Sequence, residues 1–186
     1  MITIDDHTRD VFVERADEAG VLDLTYYRID SPYGRLLLVA SPAGLLRIAF
    51  EREDHDRVLQ HLADTLSPRL VASTRRLAQP ARELDEYFAG TRRSFGLALD
   101  LRLSRGFRRE VLDQLLRIGY GTTTTYTALA AAAGRPRAIR AAGSACATNP
   151  LSIVVPCHRV IRSDGSIREY LGGTEMKRAL LSMEAA

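Results

Sequence analysis

The chain is poor in cysteine and in long apolar runs, and each shortage excludes a class of protein. Its 186 residues include only two cysteines, Cys146 and Cys157, which argues against a disulfide framework and indicates a reducing compartment, with the cytoplasm as the expected location. No apolar run approaches the roughly 20 residues that span a bilayer. Residues 1–7 lack the basic and apolar regions of a secretion signal, so we expect no membrane partner.

The charges are divided unevenly along the chain. Lys177 is the only lysine among 26 basic residues. Residues 1–100 have 13 basic and 17 acidic side chains, whereas residues 101–186 have 13 basic and 6 acidic. A positive second half suits contact with a phosphate backbone, although a basic face that is only solvated gives the same count. We expect no metal site, because His55 and His61 would face different directions on a predicted helix.

The first half predicts an α/β domain over residues 23–100. Residues 1–22 are polar and acidic without a sustained period, and we interpret them as an N-terminal tail. Strands are predicted at 25–29, 35–40 and 45–50, with turns between them at Ser31-Pro32-Tyr33-Gly34 and Ser41-Pro42-Ala43-Gly44, which makes a meander. Helical spacing follows at 54–66 and 80–88.

The second half, residues 101–186, is predicted to be mostly helical. An amphipathic helix begins at Phe107 and ends at Gly119 or Gly121. Threonines 122–125 offer an N-cap to a short helix at 126–133, and a second helix at 137–147 follows after a glycine turn. This pattern predicts a helix-turn-helix, with an ordinary pair of packed helices as the alternative. A last helix is predicted at 174–183.

The most informative motif is Pro156-Cys157-His158-Arg159-Val160. It closes an apolar run, residues 153–155, which we interpret as a strand. A thiolate is the reactive form of cysteine, so a cysteine at a strand end beside an imidazole is a candidate nucleophile. The alternative is a buried structural cysteine, because neighbouring residues of an extended segment point to opposite faces.

From about residue 26 to residue 184, the chain resembles the O6-alkylguanine-DNA alkyltransferases, which are suicide DNA-repair proteins. Besides the cysteine motif, the resemblance is carried by Gly121 followed by Tyr126, Arg140-Ala141-Ala142-Gly143, Asn149-Pro150, Tyr170 before Gly172-Gly173, Lys177 and Glu184. It implies a ribonuclease-H-like first domain, no metal or organic cofactor, and a monomer. The implied partner is double-stranded DNA bearing O6-alkylguanine.

The resemblance also implies the reaction, a single irreversible transfer of the alkyl group from guanine to Cys157. His158 would receive the thiol proton through a water while Glu184 holds the imidazole. Asn149 would tie the turn before the nucleophile, and Tyr126 would donate to the flipped base. The other implied substrate-binding residues are Val160, through its carbonyl, Tyr170, Leu171 and Lys177.

The helix at 137–147 is implied to lie in the minor groove of DNA, where small residues fit. Arg140 would fill the space that the flipped nucleotide leaves, and Arg135 and Arg137 would contact phosphates. The small residues implied to face the groove are Ala141, Ala142, Gly143 and Ser144.

Three other functions stay open at this point. A non-catalytic sensor of alkylguanine is disfavoured by Cys157, because such relatives replace this cysteine. A DNA-binding transcription regulator in which Cys157 is incidental, or a fragment of an adaptive-response regulator that also senses alkylation, is disfavoured because the sequence shows no separate cysteine-rich sensor domain. A Cys-His-Glu hydrolase would turn over repeatedly. Activity on O4-alkylthymine is also left open.

The pocket loop departs from the family pattern. The loop is Arg168-Glu169-Tyr170-Leu171-Gly172-Gly173, and relatives usually have a small residue at its first place and a small or polar residue at its fourth. Arg168, Glu169 and Leu171 are therefore conspicuous. Long charged side chains at a pocket lip narrow it, contact a phosphate, or pair with each other. We therefore expect bulky benzyl adducts to react less well than methyl adducts.

Overall fold

The structure is a computed structural model that describes residues 6–185, apart from the side chains of residues 6–10 and of Glu14. The described residues form two compact units. The first contains the described residues up to Asp85 together with Leu97–Asp100, and the second contains Glu86–Gly96 and the residues from Leu101 onward. The segment 86–96, which the sequence analysis assigned to the α/β domain, thus groups with the second unit.

The first unit is built on a mixed sheet. Strands β1 (Leu24–Ile29), β2 (Leu36–Ser41) and β3 (Gly44–Phe50) pair antiparallel, which confirms the predicted meander. A short strand β4 (Leu70–Ala72) pairs parallel with β1, so the order is β3-β2-β1-β4. All six residues of β2 are buried, as expected for a central apolar strand covered on both faces.

The helices of this unit are α1 (Asp6–Glu18), α2 (His55–Thr65) and α3 (Ala78–Phe88), of which α3 ends in the second unit. The predicted tail therefore contains a helix, and its first five residues lie outside the described ones. Helix α1 is attached to the rest of this unit through Arg76, whose guanidinium pairs with Asp17 and donates to the Leu22 carbonyl at 3.3 Å. The helix was not predicted because its apolar residues have only a weak helical period.

The second unit is mostly helical. It contains α4 (Phe107–Leu115), α5 (Tyr126–Ala132), α6 (Ile139–Ala147) and α7 (Thr174–Ala185), with a short parallel pair, β5 (Thr124–Thr125) and β6 (Val160–Ile161). As predicted, a threonine caps α5: the Thr125 hydroxyl accepts from the Ala128 N–H at 3.1 Å. Helix α4 ends earlier than predicted, because the N–H groups of Arg117 and Ile118 bond three residues back and tighten the last turn.

Among the residues that the structure describes, no helix combines the length and the apolar character needed to cross a membrane.

Candidate active site

Cys157 lies after a tight turn and not at the end of a strand. The predicted strand at 153–155 is wrong, since Val155 makes only an isolated bridge and Ile153 has a left-handed φ of 80°. Cys157 is the first residue of a short 3-10 helix, Cys157–Arg159. An apolar run indicates burial, but it does not distinguish a strand from a buried turn.

The buried side chain of Asn149 replaces the missing strand pairing. Its Nδ2 donates to the Val155 carbonyl at 2.8 Å and lies 3.2 Å from Cys157 Sγ. Its Oδ1 accepts from the Leu151 N–H at 3.0 Å. Because buried polar groups are costly to leave unpaired, these bonds fix the turn in one conformation. The same amide therefore fixes both the backbone before the nucleophile and the position of the sulfur.

The thiol of Cys157 is 2 % exposed and protonated at rest. Burial raises its pKa, whereas hydrogen bonds from Asn149 and Ser152 and the charge of Lys177 act in the opposite direction without cancelling the effect. Ser152 Oγ lies 3.8 Å from the sulfur. Since a neutral thiol is a weak nucleophile, the site requires a base.

His158 has the protonation state that a base requires. Its Nε2 lies 3.0 Å from Glu184 Oε1, and because a carboxylate only accepts, we assign the ring proton to Nε2 and the lone pair to Nδ1. Burial lowers the pKa of His158, although Glu184 opposes this shift, so the ring is neutral near neutral pH. Nδ1 is buried and has no hydrogen-bond partner among the described protein atoms. Its lone pair is thus available to a proton.

Glu184 is held as a carboxylate by several donors. It is 4 % exposed, which excludes the solvated helix-end residue that its sequence position alone would suggest. Besides His158, Arg159 donates from Nε and Nη2 at 2.8 Å each, Tyr87 from its hydroxyl at 2.6 Å, and Gly121 from its N–H at 3.3 Å. Burial alone would raise the pKa of Glu184, but the hydrogen bonds from these side chains lower it well below its usual range.

Two side chains of this network, those of Arg159 and Tyr87, were not predicted. Arg159 follows His158 in the cysteine motif, so its position in the motif could have been used to predict that it belongs to the site. Tyr87 lies on α3, 97 residues before Glu184, and its local pattern is that of any core aromatic. Burial raises the pKa of Tyr87, as does its bond to Glu184. The phenol therefore stays protonated and remains a donor.

A cavity of about 360 Å³ is lined by Cys157 and has the size of a small-molecule site. The predicted residues Tyr126, Tyr170 and Lys177 also line it, together with Cys146, which was not predicted to do so. Burial raises the pKa of Tyr126 to about 12, so its hydroxyl is a donor near neutral pH.

Lys177 is 1 % exposed, and its ammonium group is hydrogen-bonded to a backbone carbonyl. Its Nζ donates to the Val160 carbonyl at 2.6 Å and lies 6.0 Å from the Tyr126 ring centroid. Burial lowers the pKa of Lys177, while the two cysteines of the cavity act the other way. The Val160 carbonyl, which was predicted to accept from the substrate, keeps only one lone pair for that purpose.

The rim of the cavity contains charged residues from α6 and from the pocket loop. Arg140, Arg168 and Glu169 line it. A Cβ built on Gly143 would lie 3.7 Å from Arg168 Nη1 and 3.9 Å from the Tyr126 ring, so this glycine lets both side chains approach α6. Leu171, predicted to contact the substrate, is not among the lining residues.

The predicted DNA-facing residues of α6 are divided between surface and core. Ala141 and Ser144 are exposed, and Gly143 is partly exposed. Ala142 is 0 % exposed, so the expectation that its side chain faces a groove is wrong. Successive residues on a helix point about 100° apart, so the four consecutive residues 141–144 cannot all face one groove.

The arginines before α6 also differ. Arg137 is exposed and is free to meet a phosphate. Arg135 instead has its Nε 3.8 Å from Glu110 and its guanidinium 5.2 Å from the Phe107 ring centroid. A phosphate would have to compete with these contacts for Arg135. Among the side chains that the structure describes, no group of three or more metal-ligating residues comes together.

The described residues form two units, and the second contains a buried thiol in a cavity, next in sequence to a histidine that is paired with a glutamate. The profile of the 6-O-methylguanine DNA methyltransferase DNA-binding domain matches residues 106–186, and that of the ribonuclease-like domain matches residues 24–101. A methylated-DNA–protein-cysteine methyltransferase of Methanosarcina barkeri is 36 % identical over 159 residues, covering 86 % of this chain and 96 % of that protein. The constitutive enzyme of Bacillus subtilis is 36 % identical over 160 residues, covering 86 % and 94 %.

Solved structures agree with the sequence comparison. The crystal structure of Mycobacterium tuberculosis O6-methylguanine methyltransferase has a TM-score of 0.76 at 35 % identity, covering 87 % of this chain and 93 % of that one. The same protein in complex with DNA has a TM-score of 0.73 at 35 % identity, covering 87 % and 92 %. The chain belongs to the 6-O-methylguanine DNA methyltransferase family. This confirms the resemblance and the expected fold class, an α/β ribonuclease-like domain followed by a mostly helical one.

Proposed function

We propose that the protein repairs DNA by direct reversal, moving the alkyl group of O6-alkylguanine to Cys157. The thiolate sulfur attacks the alkyl carbon, a C–S bond forms and the C–O bond breaks. The electron pair of the broken bond stays on guanine, which takes up a proton. The observation that carries the proposal is a buried cysteine in a base-sized cavity, placed by Asn149 and followed by a neutral histidine that Glu184 orients.

The thiol proton moves to His158, in our proposal through one bridging water. The free Nδ1 lone pair supports this route, because Nε2 is committed to Glu184. The imidazolium that forms is stabilised by the carboxylate beside it, which Arg159 and Tyr87 hold in place. The thioether product lacks the acyl carbon through which a thioester is hydrolysed, so each molecule acts once.

Recognition of the flipped guanine falls to Tyr126 and to the backbone. The Tyr126 hydroxyl donates to the departing base, which its raised pKa supports. The carbonyls of Cys157 and Val160 accept from the exocyclic amine. Arg140, exposed on α6 and lining the cavity, fills the stack that the base leaves.

Helices α5 and α6 act as a helix-turn-helix in our proposal, with α6 in the minor groove. The exposed small residues Ala141 and Ser144 and the net positive second half support this placement. We further propose that the protein acts as a monomer in the cytoplasm, where a reactive thiol without a disulfide partner stays reduced. The boundary between the tail and the first domain at residues 22/23, and that between the two domains at residues 100/101, also stay predictions.

The test is the intact mass of the full chain after incubation with a duplex that contains one O6-methylguanine. One added CH2 unit per molecule, mapped to the Cys157 peptide and stable to further incubation, is expected. Tight binding without a mass change would instead select the lesion sensor. More than one repaired duplex per protein molecule would select a turnover enzyme.

A further inference from the structure

A second groove, of about 500 Å³, lies beside helix α6 in the second unit. Ala141 and Ser144 of α6 contribute to its lining. The remaining lining residues come from the start of α4 and the segment before it: Leu103, Arg105, Phe107 and Arg108. The described residues that line the groove thus include two guanidinium groups and no carboxylate. A groove of this composition is suited to an anion.

The two arginines of the groove are available for an external ligand. Arg105 and Arg108 are exposed, and among the described residues neither side chain has an ion-pair or hydrogen-bond partner. Two nearby arginines differ, since Arg109 Nε lies 3.0 Å from Asp113 and Arg135 Nε lies 3.8 Å from Glu110. The groove therefore contains two cations that have no internal partner among the described residues.

The groove adjoins the cavity of Cys157. Ser144 lines both, so the two share one exposed position of α6. We propose that Arg105 and Arg108 bind backbone phosphates of the same duplex whose damaged base enters the cavity. This inference rests on the proposed function, which lays the exposed face of α6 on DNA, and it adds a second anchoring point outside the α5–α6 pair.

A salt titration tests the proposal. Binding of the full chain to an undamaged duplex is followed by fluorescence anisotropy at several salt concentrations, for wild type, Arg105→Gln, Arg108→Gln and the double variant. The slope of log K against log salt is negative, and each lost phosphate contact reduces its magnitude by about 0.9, so the slope of the double variant should be about 1.8 shallower than that of wild type. Thermal melts of the surface variants check that all of them are folded.

Arg109→Gln is the matched control, because it removes the same side chain and the same charge at the neighbouring position. Arg109 is already paired with Asp113, so we expect its slope to equal that of wild type. Equal slopes for the double variant and Arg109→Gln would overturn the proposal. Methyl transfer by wild type is measured separately by mass: transfer without a slope change refutes only the groove, and a slope change without transfer refutes only the reaction.

Discussion

Replacing Tyr87 with phenylalanine tests whether the network around Glu184 contributes to both stability and reaction. The hydroxyl of Tyr87 donates to Glu184 Oε1 at 2.6 Å and lies 3.4 Å from His158 Nε2. Tyr87 is 0 % exposed, so no solvent replaces the lost donor directly. The ring itself remains, and with it the packing of α3. The substitution therefore isolates one hydrogen bond to a buried charge.

The expected loss follows from the charge of the acceptor. A hydrogen bond to a charged group contributes about 1.5–3 kcal/mol, and because Glu184 keeps its bonds from Arg159 and His158, we expect a loss of about 2 kcal/mol in the free energy of unfolding. The carboxylate also becomes less firmly oriented towards His158. If about 1.4 kcal/mol of orientation is lost in the transition state, methyl transfer slows about tenfold.

Urea unfolding and single-turnover transfer to a methylated duplex measure the two effects. Tyr120→Phe is the control, because the centroid of the Tyr120 ring lies 6.3 Å from that of Tyr87, while its hydroxyl donates to the Met183 carbonyl at 3.4 Å and to no other group among the described residues. A hydrogen bond between neutral groups typically contributes about 1 kcal/mol. Because this bond is long, its removal should lower the free energy of unfolding by less than about 1 kcal/mol. Wild-type stability and rate in Tyr87→Phe would refute the assigned role of Tyr87.

Three further outcomes are expected. Gly121→Ala should destabilise the protein by about 1–3 kcal/mol in urea unfolding, because φ is +70° and a Cβ would lie 2.8 Å from the Glu184 carbonyl oxygen. Gly143→Ala should be neutral or stabilising by up to about 1 kcal/mol, because its nearest contact of 3.7 Å is ordinary packing and alanine is the better helix former. Stability should fall on acidification below about pH 6.5, since the folded-state pKa of His158 lies below its unfolded value and the unfolded chain takes up the proton first; a flat profile in wild type, or one unchanged in His158→Gln, would contradict this. Arg168→Gly should raise the single-turnover rate on benzyl adducts relative to methyl adducts, and an unchanged ratio would show that the rim does not select by size.

Secondary structure was predicted most accurately where a pattern repeats locally in the sequence. The apolar run of β2 and the turns that flank it identified the meander, because a buried strand and its turns have strong local composition. Strand β4 has three residues, too few for a period to be seen. Helix α1 has a weak apolar stripe, so its residues read as a polar tail.

The candidate site was predictable to the extent that it is local in sequence. Cys157, His158 and Asn149 lie within ten residues of one another, and their motif indicated the chemistry directly. Tyr87 joins them only through the fold. The strand assigned to 153–155 was wrong for a related reason, since the bonds of Asn149 that hold the turn depend on three-dimensional geometry and not on apolar content.

The two cysteines of the cavity show that burial alone does not produce the reactive thiol. Cys146 and Cys157 line the same space, and burial raises the pKa of both. At Cys157 this effect is opposed by hydrogen bonds from Asn149 and Ser152, and a histidine with a free lone pair follows it in the chain. At Cys146, on α6, only the charge of Lys177 opposes the rise. An alkyl group in the cavity is therefore expected on Cys157, because only there does the turn supply donors to the sulfur and a route for its proton.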